Sequence, residues 1–276
     1  MRDFIPIFQE CALEIQKILK TNSTDYLAGV NPSGDTQLDI DVKADKIIET
    51  KLLGLECVRG ICSEEKIEAI YKKNGSYLIA YDPLDGSSII DSNLSVGSIF
   101  GIYEGDFEAA KIIGAAYVVY GPRLELVFAD KILSYFIYNG DFWEEKKSLK
   151  LNQKGKINAP GGTQKDWSNA HKNLVYSLFE KGYRLRYSGG MVPDLHQILI
   201  KGGGLFSYPA TLNAPQGKLR KLFEVFPFAF IYEKAGGEAI DGKTRLLDLE
   251  IKSLHESTPC FFGSSEEINE VRKTYE

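Results

Sequence analysis

Hydrophobic and polar residues follow two different periods along this chain. Between residues 4 and 19, hydrophobic residues recur at three- and four-residue steps with Gln, Glu and Lys between them, which predicts an amphipathic helix. A second helix, ending near Leu53, is predicted after the turn signal at 31–34. A short strand is predicted over 56–61, and the uniformly hydrophobic run at 77–80 predicts a buried strand.

A meander of antiparallel strands is predicted next, because stretches rich in β-branched and aromatic residues are separated by short turn signals. Gly121-Pro122 and Asn139-Gly140 are such turns. The predicted strands cover residues 95–103, 110–120, 124–129 and 132–138. The charged run 146–156 is most simply a solvated edge or a connector.

The second half changes rhythm, with helices alternating with strands in the manner of an α/β layer. Helices are predicted over 170–181, 193–201, 219–235 and after Ser265, and strands over 184–187, 205–208 and 260–263. Pro227 predicts a kink or an irregular first half in the third of these helices. Glu224 lies on the hydrophobic face of that helix, so its carboxylate is either partly exposed or bound to a cation. We place a subdomain boundary near residue 150, giving residues 1–150 and 151–276.

Composition narrows the class of protein. With 276 residues and 43% hydrophobic content, the chain can bury one large core or two closely packed ones. A net charge of −5 without an extended basic face argues against a nucleic-acid partner. Four cysteines without a C-x-x-C pair argue against zinc and against a disulfide framework. No hydrophobic run reaches the ~18 residues of a membrane span and no signal peptide is evident, so we expect a soluble cytoplasmic protein without a membrane partner.

The motif Asp82-Pro83-Leu84-Asp85-Gly86-Ser87-Ser88 is the strongest candidate site. The predicted strand stops there at two carboxylates, and Pro83 should turn the chain so that both converge. Two carboxylates, the Leu84 carbonyl and water are ligands that Mg²⁺ accepts. The glycine and serines that follow offer hydroxyls and free N–H groups for a phosphate. The alternative is an ordinary surface turn, since Asp-Pro and Asp-Gly are common turn pairs.

Two other acidic groups are candidates for the same site. Glu64 and Glu65 follow the strand at 56–61 and either begin a helix or join Asp82 and Asp85 at one end of a sheet. In the second group, Asp35, Asp39 and Asp41 precede the second helix, and at least one of the three is expected to cap it. If this entry is extended, Asp39 and Asp41 lie on the same side, which leaves a shared functional role open.

The motif at 82–88, continued by 89–91 and 95–103, closely resembles class I fructose-1,6-bisphosphatase. The agreement extends to GD near Asp35, SEE at Ser63, RYSGGMV at Arg186, LFSYPA at Leu205 and GKLRKLFEVFPFAFIYEKAGG from Gly217. It covers the chain from about residue 31 to the C-terminus. The wider superfamily of lithium-sensitive sugar and inositol phosphatases shares only the DPLDG core, so the GSS ending and the GKLR segment indicate the fructose bisphosphatase branch.

The resemblance implies an α+β fold, a layered α/β/α/β/α sandwich with antiparallel and mixed sheets. It implies two or more Mg²⁺ ions per subunit, with Mn²⁺ as a substitute, held by Glu64, Asp82, Leu84, Asp85 and Glu224. Glu65 would be the general base, assisted by Asp35 and Asp41. The 1-phosphate would be held by Gly86, Ser87, Ser88 and Arg220. The 6-phosphate pocket and the sugar site would use Asn158, Tyr187, Met191, Tyr208 and Lys218, with Arg186 reaching in from a neighbouring subunit of a homotetramer.

The implied activity is Mg²⁺-dependent hydrolysis of fructose 1,6-bisphosphate to fructose 6-phosphate and phosphate, a step of gluconeogenesis. The chemistry needs a water made basic, neutralised phosphate oxygens and a stabilised leaving group, and no Ser-His-Asp or Cys-His set competes for that role. Sedoheptulose-1,7-bisphosphatase activity or dual specificity is the nearest alternative. A sensor that only binds sugar phosphate and an inositol-type monophosphatase are two further alternatives.

Three departures from the family pattern limit this resemblance. A tyrosine three positions after the asparagine of the phosphate pocket is replaced by Gly161, which alters the 6-phosphate pocket. The family's first helix, part of its AMP site, has no counterpart, because residues 4–19 resemble its second helix. Basic residues expected near Ser76 and at Glu104 are missing as well, and only Tyr77 matches. We therefore expect that AMP does not inhibit through that site.

Overall fold

The structure is a computed structural model that describes residues 1–21, 26–30 and 36–276. Six α-helices lie in these ranges. They are α1 (Phe4–Thr21), α2 (Asp39–Leu53), α3 (Asn169–Glu180), α4 (Met191–Ile200), α5 (Phe226–Lys234) and α6 (Ser265–Tyr275).

A large sheet of eight strands occupies the N-terminal half, in the order β10-β9-β8-β7-β6-β5-β3-β4. All neighbours are antiparallel except β3 and β5, which run parallel. The strands are β3 (Val58–Ser63), β4 (Ile70–Tyr71), β5 (Tyr77–Asp85), β6 (Val96–Glu104), β7 (Ile112–Tyr120), β8 (Leu124–Ala129), β9 (Leu133–Tyr138) and β10 (Trp143–Lys146). The short strands β1 (Tyr26–Val30) and β2 (Thr36–Leu38) form a separate antiparallel pair.

A second sheet of five strands lies in the C-terminal half, in the order β12-β11-β13-β17-β15. Its strands are β11 (Ile157–Pro160), β12 (Arg184–Leu185), β13 (Gly204–Tyr208), β15 (Glu238–Ile240) and β17 (Cys260–Gly263). The strands β14 (Leu219–Arg220) and β16 (Ser257–Thr258) pair with each other outside this sheet.

The helices and the two large sheets form five layers, with three hydrophobic cores between them. Helices α1 and α2 pack on one face of the large sheet, where the Phe8 and Phe100 rings stack 4.3 Å apart. Helices α4 and α5 fill the space between the two sheets. Helices α3 and α6 cover the outer face of the small sheet. The expected α/β/α/β/α sandwich is therefore confirmed.

Burial on both faces explains why the central strand β5 reads as a continuous hydrophobic run. Ile79 and Tyr81 face α1 and α2, whereas Leu78 and Ala80 face the core between the sheets. Since neither face meets water, the sequence shows no alternation of hydrophobic and polar residues there.

The helix predicted over 219–235 begins later than expected. Strand β14 comes first, a single π-helical turn follows at Lys221–Val225, and α5 starts at Phe226. Pro227 lies in the first turn of α5, where a backbone N–H is not needed. The irregular first half predicted from Pro227 is confirmed.

Several short strands were missed by the sequence pattern, among them β10, β11 and β15. Strand β10 precedes the run 146–156, for which a solvated edge or a connector was predicted, and pairs with β9 at the edge of the large sheet. Strands β11 and β15 have four and three residues, too few to show a period.

Candidate metal and phosphate site

An extra residue in strand β5 turns two carboxylates toward one cavity. The pairing with β6 runs regularly to Asp82 opposite Ile99 and resumes at Asp85 opposite Gly97, so β5 has one residue more than its partner. The bulge is fixed by two hydrogen bonds. The Leu84 N–H donates to Asp82 Oδ1 at 2.9 Å, and the Ser98 hydroxyl donates to the Pro83 carbonyl at 2.7 Å.

Glu224 completes the acidic cluster from the other half of the chain. It lies in the π-helical turn before α5, a distortion that is frequent at functional sites. Its Oε2 accepts a hydrogen bond from the Arg220 backbone N–H at 2.6 Å. Asp82, Asp85 and Glu224 are all buried, and each offers one oxygen within 4.8 Å of the others. These three residues could hold a metal ion.

Burial and mutual repulsion raise the pKa values of these three carboxyl groups. The pKa of Asp82 is raised well above its usual value, first by desolvation and then by the charges of Glu64, Asp85 and Glu224. Desolvation raises the pKa of Asp85 to about 7, although N–H groups of Val192 and Met191 oppose the rise. The pKa of Glu224 rises to about 8 for the same first reason. Such a cluster favours a bound cation, which would stabilise all three charges together.

Glu64 lies beside this cluster because β3 runs parallel to β5, which selects the shared sheet edge from the two alternatives that the sequence left open. Its backbone N–H donates to the Tyr81 carbonyl at 3.0 Å, and its Oε1 lies 3.1 Å from Nη1 of Arg220. The same guanidinium nitrogen lies 3.8 Å from Glu224 Oε2. Arg220 therefore brings positive charge to the acidic residues of both halves of the chain.

Asp41 and Glu65 line the same cavity, whereas Asp39 does not. Helix α2 begins at Asp39, so the expectation that Asp39 and Asp41 share a side in an extended entry is wrong. Residues two positions apart in the sequence point in directions about 200° apart around a helix axis. Asp41 is thus buried, while Asp39 is partly exposed and pairs with Lys43 four residues later. Asp35 lies outside the described residues.

The serine turn forms the adjacent wall of the cavity. Gly86 has φ 82°, a left-handed conformation that favours glycine, and the short 3₁₀ turn Ser87–Ile89 follows it. Gly86, Ser87 and Ser88 all line the cavity, whose volume is about 320 Å³. A side chain at position 86 would approach the Gly190 Cα to 3.3 Å, so the two loops pack closely.

The N-terminus of α4 clamps Asp85, a contact that the sequence pattern did not predict. The N–H groups of Met191 and Val192 donate to the two Asp85 oxygens at 3.1 and 2.6 Å. The preceding loop is held by Asp194, whose carboxylate accepts the Ser188 N–H. The segment RYSGGMV is the only signal in the sequence for this clamp, and its two glycines form the wall opposite Gly86.

The predicted sugar-site residues divide into two groups. Tyr187, Met191, Tyr208 and Lys218 line the cavity together with Arg220. Asn158 and Arg186 are not among the lining residues. Arg186 is exposed, and its Nη1 donates to the Leu185 carbonyl at 2.8 Å.

The structure does not bring the Asn158 side chain to the cavity. Its neighbour Ala159 packs into the core between the sheets, so Asn158 faces α3 and α6 and is fully buried. Gly161 lies near the expected pocket instead. A Cβ atom added there would lie 2.5 Å from Tyr208 Cδ2 and 3.1 Å from Tyr187 Cε2.

Both halves of the chain match models of known protein families. Residues 8–144 match the family model "Fructose-1-6-bisphosphatase, N-terminal domain", and residues 151–276 match "Fructose-1-6-bisphosphatase, C-terminal domain". Among curated relatives, the class 1 fructose-1,6-bisphosphatase of Helicobacter hepaticus is 62% identical over 274 residues, 99% of this chain and 98% of the relative. That of Campylobacter concisus is 54% identical over 274 residues, 97% of this chain and 96% of the relative.

Solved structures agree with the sequence relatives. Leishmania major fructose-1,6-bisphosphatase in holo form superposes with a TM-score of 0.92 at 30% identity, covering 98% of this chain and 93% of that one. A Toxoplasma gondii protein described as a sedoheptulose-1,7 bisphosphatase has a TM-score of 0.91 at 32% identity, covering 99% and 93%. No helix among the described residues is long and apolar enough to cross a membrane. The chain belongs to the class 1 fructose-1,6-bisphosphatase family.

Proposed function

We propose that this protein hydrolyses the 1-phosphate of fructose 1,6-bisphosphate to give fructose 6-phosphate and phosphate, as a step of gluconeogenesis. The observation that carries the proposal is the convergence of Asp82, Asp85 and Glu224 beside the Gly86-Ser87-Ser88 turn in one cavity. The names of the curated relatives, at 50–62% identity, support the same activity.

A divalent metal cofactor fits the donor set, which consists of buried carboxylates and the Leu84 carbonyl. We propose two or more Mg²⁺ ions, with Mn²⁺ as a substitute, held by Glu64, Asp82, Leu84, Asp85 and Glu224. Oxygen ligands suit both metals. When bound, these ions would neutralise phosphate oxygens and make an attacking water more acidic.

The remaining residues of the cavity would bind and orient the ester. The hydroxyls of Ser87 and Ser88, in the turn that begins at Gly86, would hold the 1-phosphate together with Arg220. Glu65 would take the proton of the attacking water as general base, assisted by Asp35 and by Asp41, which is buried. Tyr187, Tyr208, Lys218 and Met191 would bind the sugar and its distal phosphate. Asn158 is left out of this proposal, because its side chain is buried on the other face of its strand.

The assembly and its subdomains are also proposals. Arg186 is exposed, so it is available to enter the cavity of a neighbouring subunit in a homotetramer. Division into residues 1–150 and 151–276 is supported by the two family models, which end at 144 and begin at 151. We also propose a cytoplasmic location, which fits the four free cysteines.

The test is phosphate release from a panel of sugar phosphates with and without Mg²⁺. We expect release from fructose 1,6-bisphosphate with Mg²⁺ and none after chelation. Release from inositol monophosphates alone, or from no substrate in the presence of metal, would contradict the proposal.

Sedoheptulose 1,7-bisphosphate is the second candidate substrate, favoured by the similarity to the Toxoplasma gondii structure and by the small residue Gly161 beside Tyr187 and Tyr208. Since the chemistry is identical, only the sugar pocket can discriminate. The ratio of kcat/KM for the two bisphosphates measures that preference.

A further inference from the structure

Two of the proposed metal ligands, Glu64 and Glu224, lie on segments that come from different halves of the chain. Glu64 and Glu65 belong to the turn 63–66 that follows β3, which we call the acidic turn. Glu224 belongs to the π-helical turn Lys221–Val225. Residues 250–256, here called the bridging loop, contact both segments.

The bridging loop reaches the acidic turn through His255. The Nε2 atom of His255 lies 2.9 Å from the Lys66 carbonyl oxygen. A carbonyl can only accept, so Nε2 must carry the proton and donate it. The imidazole ring also packs against the Phe223 ring, with centroids 5.1 Å apart, and Phe223 is the residue before Glu224. One side chain therefore touches both segments.

Both ends of the bridging loop are fixed to the π-helical turn through Lys221. The Lys221 N–H donates to the Glu256 carbonyl at 2.8 Å. Its ammonium group lies 2.8 Å from Glu256 Oε1 and 2.9 Å from the Glu250 carbonyl. Because strands β14 and β16 pair immediately beside these contacts, the loop has a defined position relative to Arg220 and Glu224.

Lys66 is held from its other side by helix α2. Its ammonium group pairs with Asp45 and lies 2.8 Å from Glu49 Oε2. Asp45 also accepts the Tyr81 hydroxyl at 2.8 Å. Asp41, which lines the cavity, precedes Asp45 by one helical turn. The position of the acidic turn is thus defined by α2 on one side and by His255 on the other.

We infer that His255 is a positioning residue that holds the acidic turn against the π-helical turn, so that Glu64 and Glu224 keep the spacing a shared metal cluster requires. The inference rests on the proposed metal-dependent function. Groups that orient ligands typically change metal affinity or activity by ~10–100-fold when they are replaced.

The test compares three variants at this position. His255→Phe keeps an aromatic ring on Phe223 but removes the donor. The amide nitrogen of Gln in His255→Gln can reach the place of Nε2, whereas that of Asn in His255→Asn reaches only the place of Nδ1. We expect ~10-fold weaker Mn²⁺ binding by calorimetry for the Phe and Asn variants, and recovery to within about threefold for the Gln variant.

Leu254→Ala is the matched control. It shortens a partly buried side chain of the same loop, and this side chain packs on the core between the two sheets. We expect Mn²⁺ affinity within about twofold of the unmodified protein for this control. Equal loss in the Leu254 and His255 variants, or no recovery with Gln, would overturn the inference. If the His255→Phe variant does not fold, the difference in Mn²⁺ affinity between the Gln and Asn variants tests the inference.

Kinetics give a second, independent readout. For the Phe variant we expect a higher Mg²⁺ concentration for half-maximal rate and a KM for the bisphosphate that changes less than about twofold at saturating Mg²⁺. An increase in KM with unchanged Mg²⁺ dependence would also overturn the inference. If the unmodified protein hydrolyses no bisphosphate, the proposed function fails, while the Mn²⁺ measurements still test the role of His255.

Discussion

The Arg220 guanidinium lies 3.1 Å from the Glu64 carboxylate, and less than a tenth of either side chain is exposed. Removing one partner of a buried ion pair leaves an uncompensated charge, which typically costs about 3–5 kcal/mol. We expect Arg220→Met to lower the free energy of unfolding by about that amount when metal is absent. Denaturant unfolding in a chelator measures this loss.

Divalent metal should compensate part of the loss in the Arg220 variant, because a bound cation also neutralises Glu64 and Glu224. Unfolding repeated at saturating Mg²⁺ is therefore expected to show a smaller difference between the two proteins. If Mg²⁺ stabilises the unmodified protein and the Arg220→Met variant equally, the bound cation does not compensate for the missing guanidinium and the prediction is wrong.

Asp82→Asn should remove the stabilisation that Mg²⁺ gives to the folded protein. A ligand present at about 100 times its Kd stabilises by about 2.7 kcal/mol. We expect a stabilisation of this order in the unmodified protein and almost none in the variant. The variant should also be more stable than the unmodified protein without metal, since its amide removes a charge that burial and three neighbouring acids disfavour.

Thermal melts with and without Mg²⁺ measure both effects of the Asp82 change. Asp91→Asn is a matched control, because Asp91 is exposed and does not line the cavity. An equal response of the Asp82 and Asp91 variants to Mg²⁺ would contradict the assignment of Asp82 as a ligand.

Glu65→Gln should remove turnover and leave substrate binding intact. General-base catalysis typically contributes 10²–10⁴-fold, so we expect a fall in kcat of about that size. Binding of the bisphosphate, measured by calorimetry at saturating Mg²⁺, should be unchanged within about twofold because Gln has nearly the same shape. Unchanged turnover would defeat the assignment of the base.

AMP at micromolar concentration should not inhibit this enzyme. The first helix, α1, packs directly on the large sheet, and the Tyr77 ring, which matches the family's AMP-site tyrosine, lies 5.7 Å edge-on from Phe4 of that helix. Initial rates with and without AMP test this expectation. Inhibition at micromolar AMP that Tyr77→Ala abolishes would refute it.

The contribution of His171 to the free energy of unfolding should decrease as the pH falls below about 6.5, because this side chain is buried. Desolvation lowers the pKa of His171 from 6.5 to about 4. The imidazole therefore stays neutral in the folded state while the unfolded chain takes up a proton. Its contribution is complete above pH 6.5 and is lost as the pH falls toward 4, by up to about 3 kcal/mol.

His171→Phe isolates this contribution from the titration of other groups. Nδ1 of His171 lies 3.0 Å from the Tyr275 hydroxyl, and its ring packs against Trp167, so the variant loses one hydrogen bond but keeps an aromatic ring. Urea unfolding at pH 7.5 and pH 5 gives the change in the free energy of unfolding for each protein, and this change should be less favourable in the unmodified protein than in the variant. An equal change in both proteins would contradict the argument.

The convergence of Asp82 and Asp85 could be predicted from local sequence alone. Pro83 cannot donate a ladder hydrogen bond, so regular pairing has to fail between the two acids, although strand β5 continues through a one-residue bulge where the sequence predicted a turn. The placement of Glu64 next to them was one of two alternatives that the sequence left open, and the parallel pairing of β3 with β5 decided it.

Long-range packing decided the rest of the site. The sequence around Asp39 and Asp41 is compatible with a strand or a helix, and only the start of α2 at Asp39 turned one acid inward and the other outward. Asn158 could not be placed by motif alone, because a shift of one residue in a strand moves a side chain to the opposite face.

The sequence by itself determined which residues are candidates for the chemistry, because a proline, a glycine and clustered acids constrain the backbone locally. Only the tertiary structure decided which of them meet. The contacts from Arg220 to Glu64 and from His255 to Lys66 join residues more than 150 positions apart. No local period encodes such contacts, since they depend on how the two sheets and the helices between them pack.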